Sequence, residues 1–355
     1  MTQKNNVHVV GTGTIGEPLI GILSVMRREF GIDDVTFHKA TPRLTDRPKV
    51  RALQDKGATL AATPETYDAF RKLGIEPVMT HEEAIEQARV VIDCTPVGNE
   101  NKDQLFTKFD DGSRVFVAQG SEFGFGKPYA RGINDGALVR GEDRWVQVVS
   151  CNTHNIAVLI KTIGGVGGGA GNLESARFLC IRRATDISQN DDFLASPEVG
   201  KHEDAKFGTH HARDAAYLFH TLGHDLDLFS SSMKLNTQYM HAIHFDMRLT
   251  IDINTEEVIR RLRDERRVSV THRRDSATIF SFGRDHGLYG RILNQTVVSI
   301  PTVAVRNKRE VVGFCFTPQD GNSLLSSISV ALWALHETGW DDRMRNLRPY
   351  CFSEI

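Results

Sequence analysis

Cysteine is sparse in this 355-residue sequence and is never paired. Cys94, Cys151, Cys180, Cys315 and Cys351 form no CxxC spacing, which argues against a disulfide framework and against a zinc site. A reducing, cytoplasmic setting suits that usage. An excess of charge of one sign is also missing. The formal net charge is -2, so no global field draws the chain to nucleic acid or to a membrane surface. No apolar run approaches the ~18 residues that cross a bilayer. The opening MTQKNNVHVVGTG runs straight into a strand and lacks the apolar stretch of a signal peptide. Internal repeats and low-complexity tails are absent as well. What is present is ordinary for a globular protein, 40% hydrophobic and 25% charged, at a length that suits two domains.

The first 150 residues alternate strand and helix patterns. Strands are expected at Val7–Val10, Asp34–His38, Val90–Cys94, Arg114–Val117 and Trp145–Val149. Helices are expected at Pro18–Phe30, Arg47–Lys56, Glu65–Leu73 and His81–Ala88. That alternation predicts a Rossmann-type α/β domain with a parallel sheet. After Cys151 the pattern changes. A helix over Thr153–Ile163 leads into the glycine-rich loop Gly164–Gly171, then strands at Ser175–Arg183, Gln238–Ile251, Val268–His272, Val297–Arg306 and Glu310–Phe316. A helix at Thr255–Glu265, capped by Thr255, and a hairpin turn at Asn307-Lys308 complete an α+β region with a mostly antiparallel sheet. Ser323–Thr338 reads as a closing apolar helix. The expected domains are residues 1–150 and 151–322, the first dinucleotide-binding and the second catalytic.

Gly11, Gly13 and Gly16 match G-x-G-x-x-G between a strand and a helix. The tight turn needs Gly11, close approach of backbone to a pyrophosphate needs Gly13, and helix–strand packing needs Gly16. The second strand ends without the acidic residue that would hold a ribose 2′-hydroxyl. Lys39, Thr41 and Arg43 follow it instead, either suited to a 2′-phosphate or solvated loop cations. The cofactor is therefore NADP or NAD.

Cys151 falls between an apolar strand and a helix whose Ile156, Leu159, Ile160 and Ile163 form one stripe. At a helix N-terminus the dipole is expected to favour a thiolate, which can add to an aldehyde carbonyl and hold it as a hemithioacetal. Fourteen histidines are present. His210-His211 and the strand residues His241 and His244 can carry protons near neutral pH or serve as hydrogen-bonded structural groups. They lack a supporting carboxylate or cysteine pattern, so no metal is expected. Arg182-Arg183 can grip an anion or be solvated. The basic run Arg260–Arg274 has no interleaved aromatics, so it reads as a charged helix face and loop rather than a nucleic-acid surface.

Seven motifs in order give the chain a likeness: Gly11–Gly16, Asp93-Cys94-Thr95-Pro96, Gln119-Gly120, Ser150-Cys151-Asn152-Thr153, Arg182-Arg183-Ala184, Thr209-His210-His211-Ala212 and Met240-His241. Together the chain resembles the archaeal-type (type II) phosphorylating glyceraldehyde-3-phosphate dehydrogenases. The resemblance implies Cys151 as nucleophile and His241 as its base. It places Asn152, Thr153, His210 and His211 at a small phosphorylated aldehyde and inorganic phosphate. Gly11, Gly13, Thr14, Ile15, Thr95, Gly120, Arg183 and Gln319 would fall at the cofactor. It further implies a last helix (323–355) packing on the first domain and a homo-oligomer, a tetramer. Four features depart from the family pattern. His154 follows Asn152-Thr153 where the family has a second threonine, and Gly164–Gly171 reads as an insertion. Ala242-Ile243 separate the two strand histidines, so that His244 can take the role given to His241, and Gln319 sits in Thr317-Pro318-Gln319-Asp320 rather than in the family's context. A related acyl-phosphate reductase of amino-acid metabolism, or a catalytically silent nucleotide-binding redox sensor, is the alternative to this dehydrogenase.

Overall fold

The structure, a computed structural model, describes residues 4–120, 122–166, 171–186, 194–318 and 320–355. Its chain divides into two units, one comprising Met1–Lys127, Leu138–Val148 and Ser326–Asn346, the other Pro128–Ala137, Val149–Leu325 and Leu347–Ile355.

In the first unit β1 (Asn6–Val10) is buried along its whole length, as a strand covered on both faces must be. Around it stand β2 (Asp34–His38), β3 (Thr59–Ala62), β4 (Met79–Thr80), β5 (Val90–Asp93), β6 (Val115–Gln119) and β8 (Trp145–Val148), and the same sheet ends on β7 (Lys127–Tyr129), of which only Lys127 is counted in this unit. The sheet order is β4-β3-β2-β1-β5-β6-β8-β7. Its pairs from β4 through β8 are all parallel. Between β1 and β5 the winding reverses, which opens a crevice outside the carboxyl ends of the strands. Val7, Val9, Phe37, Leu60 and Ile92, fully buried, fill the sheet, and Ile20, Ile22 and Leu23 of the helix Gly16–Val25 are buried with them. Residues 326–346 join this unit through polar contacts: Gln119 Nε2 donates to Ser327 Oγ at 2.7 Å, and Arg89 Nη1 to the Leu335 carbonyl at 3.1 Å.

The second unit holds β9 (Leu173–Arg182), β10 (Glu198–Val199), β11 (Leu228–Lys234), β12 (His241–Leu249), β13 (Val268–Thr271), β14 (Thr296–Ser299), β15 (Ala304–Arg306) and β16 (Glu310–Thr317). They run in the order β10-β11-β9-β12-β16-β14-β13, with β15 on β16. Only β11/β9 and β13/β14 are parallel among these pairs. The expected mixed, mostly antiparallel sheet is present. The helix Cys151–Gly164 is buried nearly all round, and Ile156–Ile160 share a core with Phe178, Ile243, Phe245 and Met247.

Three local expectations are corrected. Val297–Arg306 is not one strand, because Pro301 turns it through a 3₁₀ segment, Ile300–Thr302, between β14 and β15. Asn254, not Thr255, caps the helix Thr255–Asp264, its side chain accepting from the Glu257 N–H. β12 starts at His241, three residues later than expected. The hairpin turn at Asn307-Lys308 is present, both residues having positive φ, but with Arg306 paired to Glu310 the loop holds three residues, Arg309 being the third. Within the glycine-rich loop, residues 167–170 lie outside the described residues, as does Gln319. Among the described residues no helix is long and apolar enough to cross a membrane.

Candidate active site

The G-x-G-x-x-G loop joins β1 to the helix Gly16–Val25. A Cβ on Gly16 would stand 2.1 Å from the Gly11 carbonyl oxygen, so only glycine lets the loop close onto the helix start. Gly13 is exposed, with open space where a side chain would be. Beside the loop lies a crevice of about 600 Å³ lined by Gly11, His38, Thr63, His81 and Thr95 among others, at the ends of β1 to β5. Thr95 is fixed there, its N–H donating to Asp93 Oδ1 at 2.8 Å and its hydroxyl accepting from Asn101 Nδ2 at 3.1 Å. Open backbone at a helix start beside such a crevice fits a dinucleotide. Of the remaining residues expected at a cofactor, Thr14 and Ile15 continue the loop into the helix, and Gly120 follows β6, its N–H donating to the Val148 carbonyl. Lys39 is ion-paired with Asp46 at 2.7 Å, while Thr41 and Arg43 are exposed.

Behind the crevice three imidazoles meet, which sequence reading missed. His81 crosses His38 edge-on at 3.8 Å between ring centroids and His8 at 5.2 Å. Both His81 ring nitrogens and His8 Nε2 are buried without partners. Burial, helped by the neighbouring rings, lowers His8 and holds His38 at about 3, and burial alone brings His81 to about 4. These rings are therefore neutral when folded and take up protons on unfolding below the usual histidine value near 6.5. Their stabilisation is complete above about pH 6.5 and is lost as pH falls toward 4. At ~1.4 kcal/mol per pKa unit, His81 alone contributes ~3 kcal/mol to that loss. Urea midpoints at pH 7.5 and 5.0 should differ, the acidic one being lower. Equal midpoints would mean that the folded protein accommodates these protons.

In the second unit Cys151 opens its helix, and the Ser150 side chain caps it by accepting from the Thr153 N–H. Asn152 is the hub of the cluster. Its Nδ2 lies 3.2 Å from His211 Nε2, and its Oδ1 lies 3.1 Å from His241 Nδ1 and 3.0 Å from Thr317 Oγ1. The hydrogen-bond directions follow from one end of the chain. Cys315 Sγ donates to Asn155 Oδ1, Asn155 Nδ2 donates to Thr317 Oγ1, and the threonine proton then goes to Asn152 Oδ1. His241 Nδ1 must therefore carry a proton, which leaves Nε2 as the ring's acceptor. His211 accepts on Nε2 and donates through Nδ1 to Thr209 Oγ1, itself 2.6 Å from Ser230 Oγ.

Strand alternation separates the two candidate bases. His241 has the parity of Ile243, Phe245 and Met247, which face the buried helix. His244 has the opposite parity and packs against the half-exposed Phe314 at 4.8 Å. His210 stacks on His211 at 4.0 Å, and the exposed Arg182 acts on His210, His211 and His241. The Arg183 side chain is buried and paired with Asp186 at 2.7 Å.

At Cys151 the surroundings act against the thiolate expected of a helix start. Burial first, then the carboxylate of Asp320, pushes the Cys151 thiol up to about 12, against the pull of Arg183 and the Asn152 N–H. Desolvation here outweighs the helix dipole. Burial, then Arg183 and Arg182, holds His241 at about 3, so it is a neutral ring. Asn155, Thr317, Asp320 and Asn322 were not singled out from the sequence. Asn322 Nδ2 donates to the Cys151 carbonyl at 2.9 Å. No His, Cys, Asp and Glu cluster able to hold a metal occurs among the described residues.

No family model matches the chain. It is similar to archaeal proteins named glyceraldehyde-3-phosphate dehydrogenase. That of Pyrobaculum neutrophilum is 26% identical over 68% of this chain and 66% of its own length. Those of Archaeoglobus fulgidus and Metallosphaera sedula are each 27% identical, over 80% and 84% of this chain and 79% and 84% of their own lengths. The match thus spans just under two thirds of the Pyrobaculum relative. The parallel sheet with a glycine loop after its first strand is an arrangement that can bind a dinucleotide.

Proposed function

We propose that the protein is a phosphorylating aldehyde dehydrogenase that oxidises glyceraldehyde 3-phosphate, with NADP used at least as well as NAD. The observation that carries this reading is Asn152 bridging His211 and His241 immediately after Cys151. Cys151 Sγ bonds the aldehyde carbon to give a hemithioacetal. The chemistry supplied by a bound nicotinamide is hydride acceptance, which turns that adduct into a thioester. His241, oriented by Asn152, offers Nε2 to the hydroxyl proton of the adduct. A phosphate oxygen then displaces sulfur and releases the acyl phosphate. Arg182 and His210 give the substrate's phosphate a cation and an imidazole. Gly13, Thr14 and Ile15 would hold the dinucleotide phosphates. Lys39, Arg43 and Lys49 act on Asp46, and Lys49 is also paired with Glu17 at 3.3 Å, which leaves three cations to two carboxylates, a balance that suits a 2′-phosphate.

A spectrophotometric assay with glyceraldehyde 3-phosphate, inorganic phosphate and each nicotinamide tests the reading. Rapid cofactor reduction that needs phosphate for repeated turnover is expected. Absence of reduction with either nicotinamide would refute the dehydrogenase. An undiminished rate without phosphate, with free acid as product, would make it a hydrolytic enzyme.

A further inference from the structure

Asn152 is held by more than the two imidazoles it bridges. Thr317 lies opposite His241 in the β12–β16 ladder. Its hydroxyl oxygen stands between two amides, 2.9 Å from Asn155 Nδ2 and 3.0 Å from Asn152 Oδ1. Those asparagines are three residues apart on one helix, so their side chains share a face. Beyond them Cys315 Sγ reaches Asn155 Oδ1 at 3.2 Å. Cys315, Asn155, Thr317 and Asn152 are each exposed by 2% or less, so these four groups depend on one another for their hydrogen bonds.

We propose that Thr317 is a positioning residue of the reaction: its hydroxyl, backed by Asn155, fixes the Asn152 amide and through it the tautomer of His241. An amide turned end for end keeps its shape, so its orientation is decided by its partners. Reversed, Asn152 would present Nδ2 to both Thr317 Oγ1 and His241 Nδ1. His241 would then accept on Nδ1 and carry its proton on Nε2, which removes the lone pair offered to the adduct's hydroxyl. The threonine opposes that turn. Its oxygen already receives the Asn155 N–H, so the reversal would put a second N–H on it and take away the acceptor of its own proton. Asn155 resists turning in the same way, because its N–H would then face the Cys315 sulfur, a weak acceptor, in place of the present S–H bond. Thr317 thus acts through Asn152 and takes up no proton itself.

The role given to Thr317 rests on His241 being the base proposed above, and two readouts keep the failure of one apart from that of the other. The first is long-range proton–nitrogen NMR of protein carrying nitrogen-15 histidine, which shows the ring nitrogen that bears the proton. His241 is assigned there by its loss in His241→Asn. The second is kcat for aldehyde oxidation, set beside cofactor affinity from fluorescence titration. In wild type His241 should be protonated on Nδ1. Thr317→Val keeps the branched shape and loses the hydroxyl, so both tautomers should be present. Its kcat should fall by about 10²-fold, with cofactor affinity within about twofold of wild type. Thr317→Ser keeps the hydroxyl and should restore the tautomer, with kcat within about threefold. A wild-type ring protonated on Nε2 overturns the proposal, as does a Thr317→Val ring protonated on Nδ1 alone. A mixed tautomer with undiminished kcat also overturns it and points to a base other than His241. A serine variant as impaired as valine in both readouts overturns it too, since the methyl rather than the hydroxyl would then matter. If Thr317→Val fails to fold, Cys315→Ala decides, because it removes the far end of the chain: mixed tautomers uphold the proposal and the wild-type one overturns it. If wild type reduces neither nicotinamide, the dehydrogenase reading fails by itself. The tautomers then settle the hold of Thr317 on the ring, a Thr317→Val ring like wild type overturning it and a mixed one upholding it.

Discussion

Cys151→Ser should lower aldehyde oxidation by about 10⁴-fold or more, the usual consequence of losing a covalent nucleophile. The substitution replaces one small polar atom by another. The backbone carbonyl that accepts from Asn322 is untouched, as is the Ser150 cap. The glycine loop and the crevice beside it belong to the other unit and share no residue with the cluster around Cys151. Binding of the nicotinamide dinucleotide, measured by fluorescence titration, should therefore stay within about twofold of wild type, well under ~1 kcal/mol. More than about 1% residual turnover would sink covalent catalysis, because a serine hydroxyl held in a desolvated site ionises even less than the thiol.

His241→Asn should slow the chemical step by about 10²–10⁴, with little effect on cofactor affinity. His241 combines the right face of β12, a tautomer set by Asn152 and an acceptor nitrogen left over. His244→Asn is the matched control. That ring lies on the other face of the same strand against Phe314, so its loss should change turnover less than about threefold, as for an ordinary surface substitution. Comparing kcat for both variants decides between them. If His244 proves the crippling position, the parity argument is wrong and the strand register has been misassigned.

Much of this was open to sequence reading, for identifiable reasons. The glycine loop announces itself through spacing, and β1, β2 and β5 through apolar runs that suit a sheet buried on both faces. β3 (Thr-Leu-Ala-Ala) and the two-residue β4 were not read, being short and poor in β-branched residues. Cys151 was visible as a cysteine between strand and helix, but its protonation was not. The helix start is written in the sequence, whereas the buried carboxylate that opposes it comes from residue 320, brought near by the fold. The His8, His38 and His81 cluster is hidden for the same reason: its members come from β1, β2 and the start of a later helix, with no spacing in common. Asn152 was expected at a substrate, yet its bonds to both His211 and His241 could be found only once β12 and the helix beginning at His210 were placed.

The threading of the chain between its two units bears on how it is made. A ribosome that has released residues 1–148 has delivered every strand of the first sheet, yet not the whole first unit. Ser326–Asn346 still lie ahead, behind the entire second sheet, and with them Ser327 for Gln119 and the Leu335 carbonyl for Arg89. Domains that are contiguous in sequence can settle one after another as they emerge, at ~5–20 residues per second. Here the earlier-made body must wait, with polar groups destined for burial unmatched, until the later one has been synthesised. Completion is therefore a single late event for both, and a nascent chain halted before Ser326 presents chaperones and proteases with a sheet that is formed but unfinished.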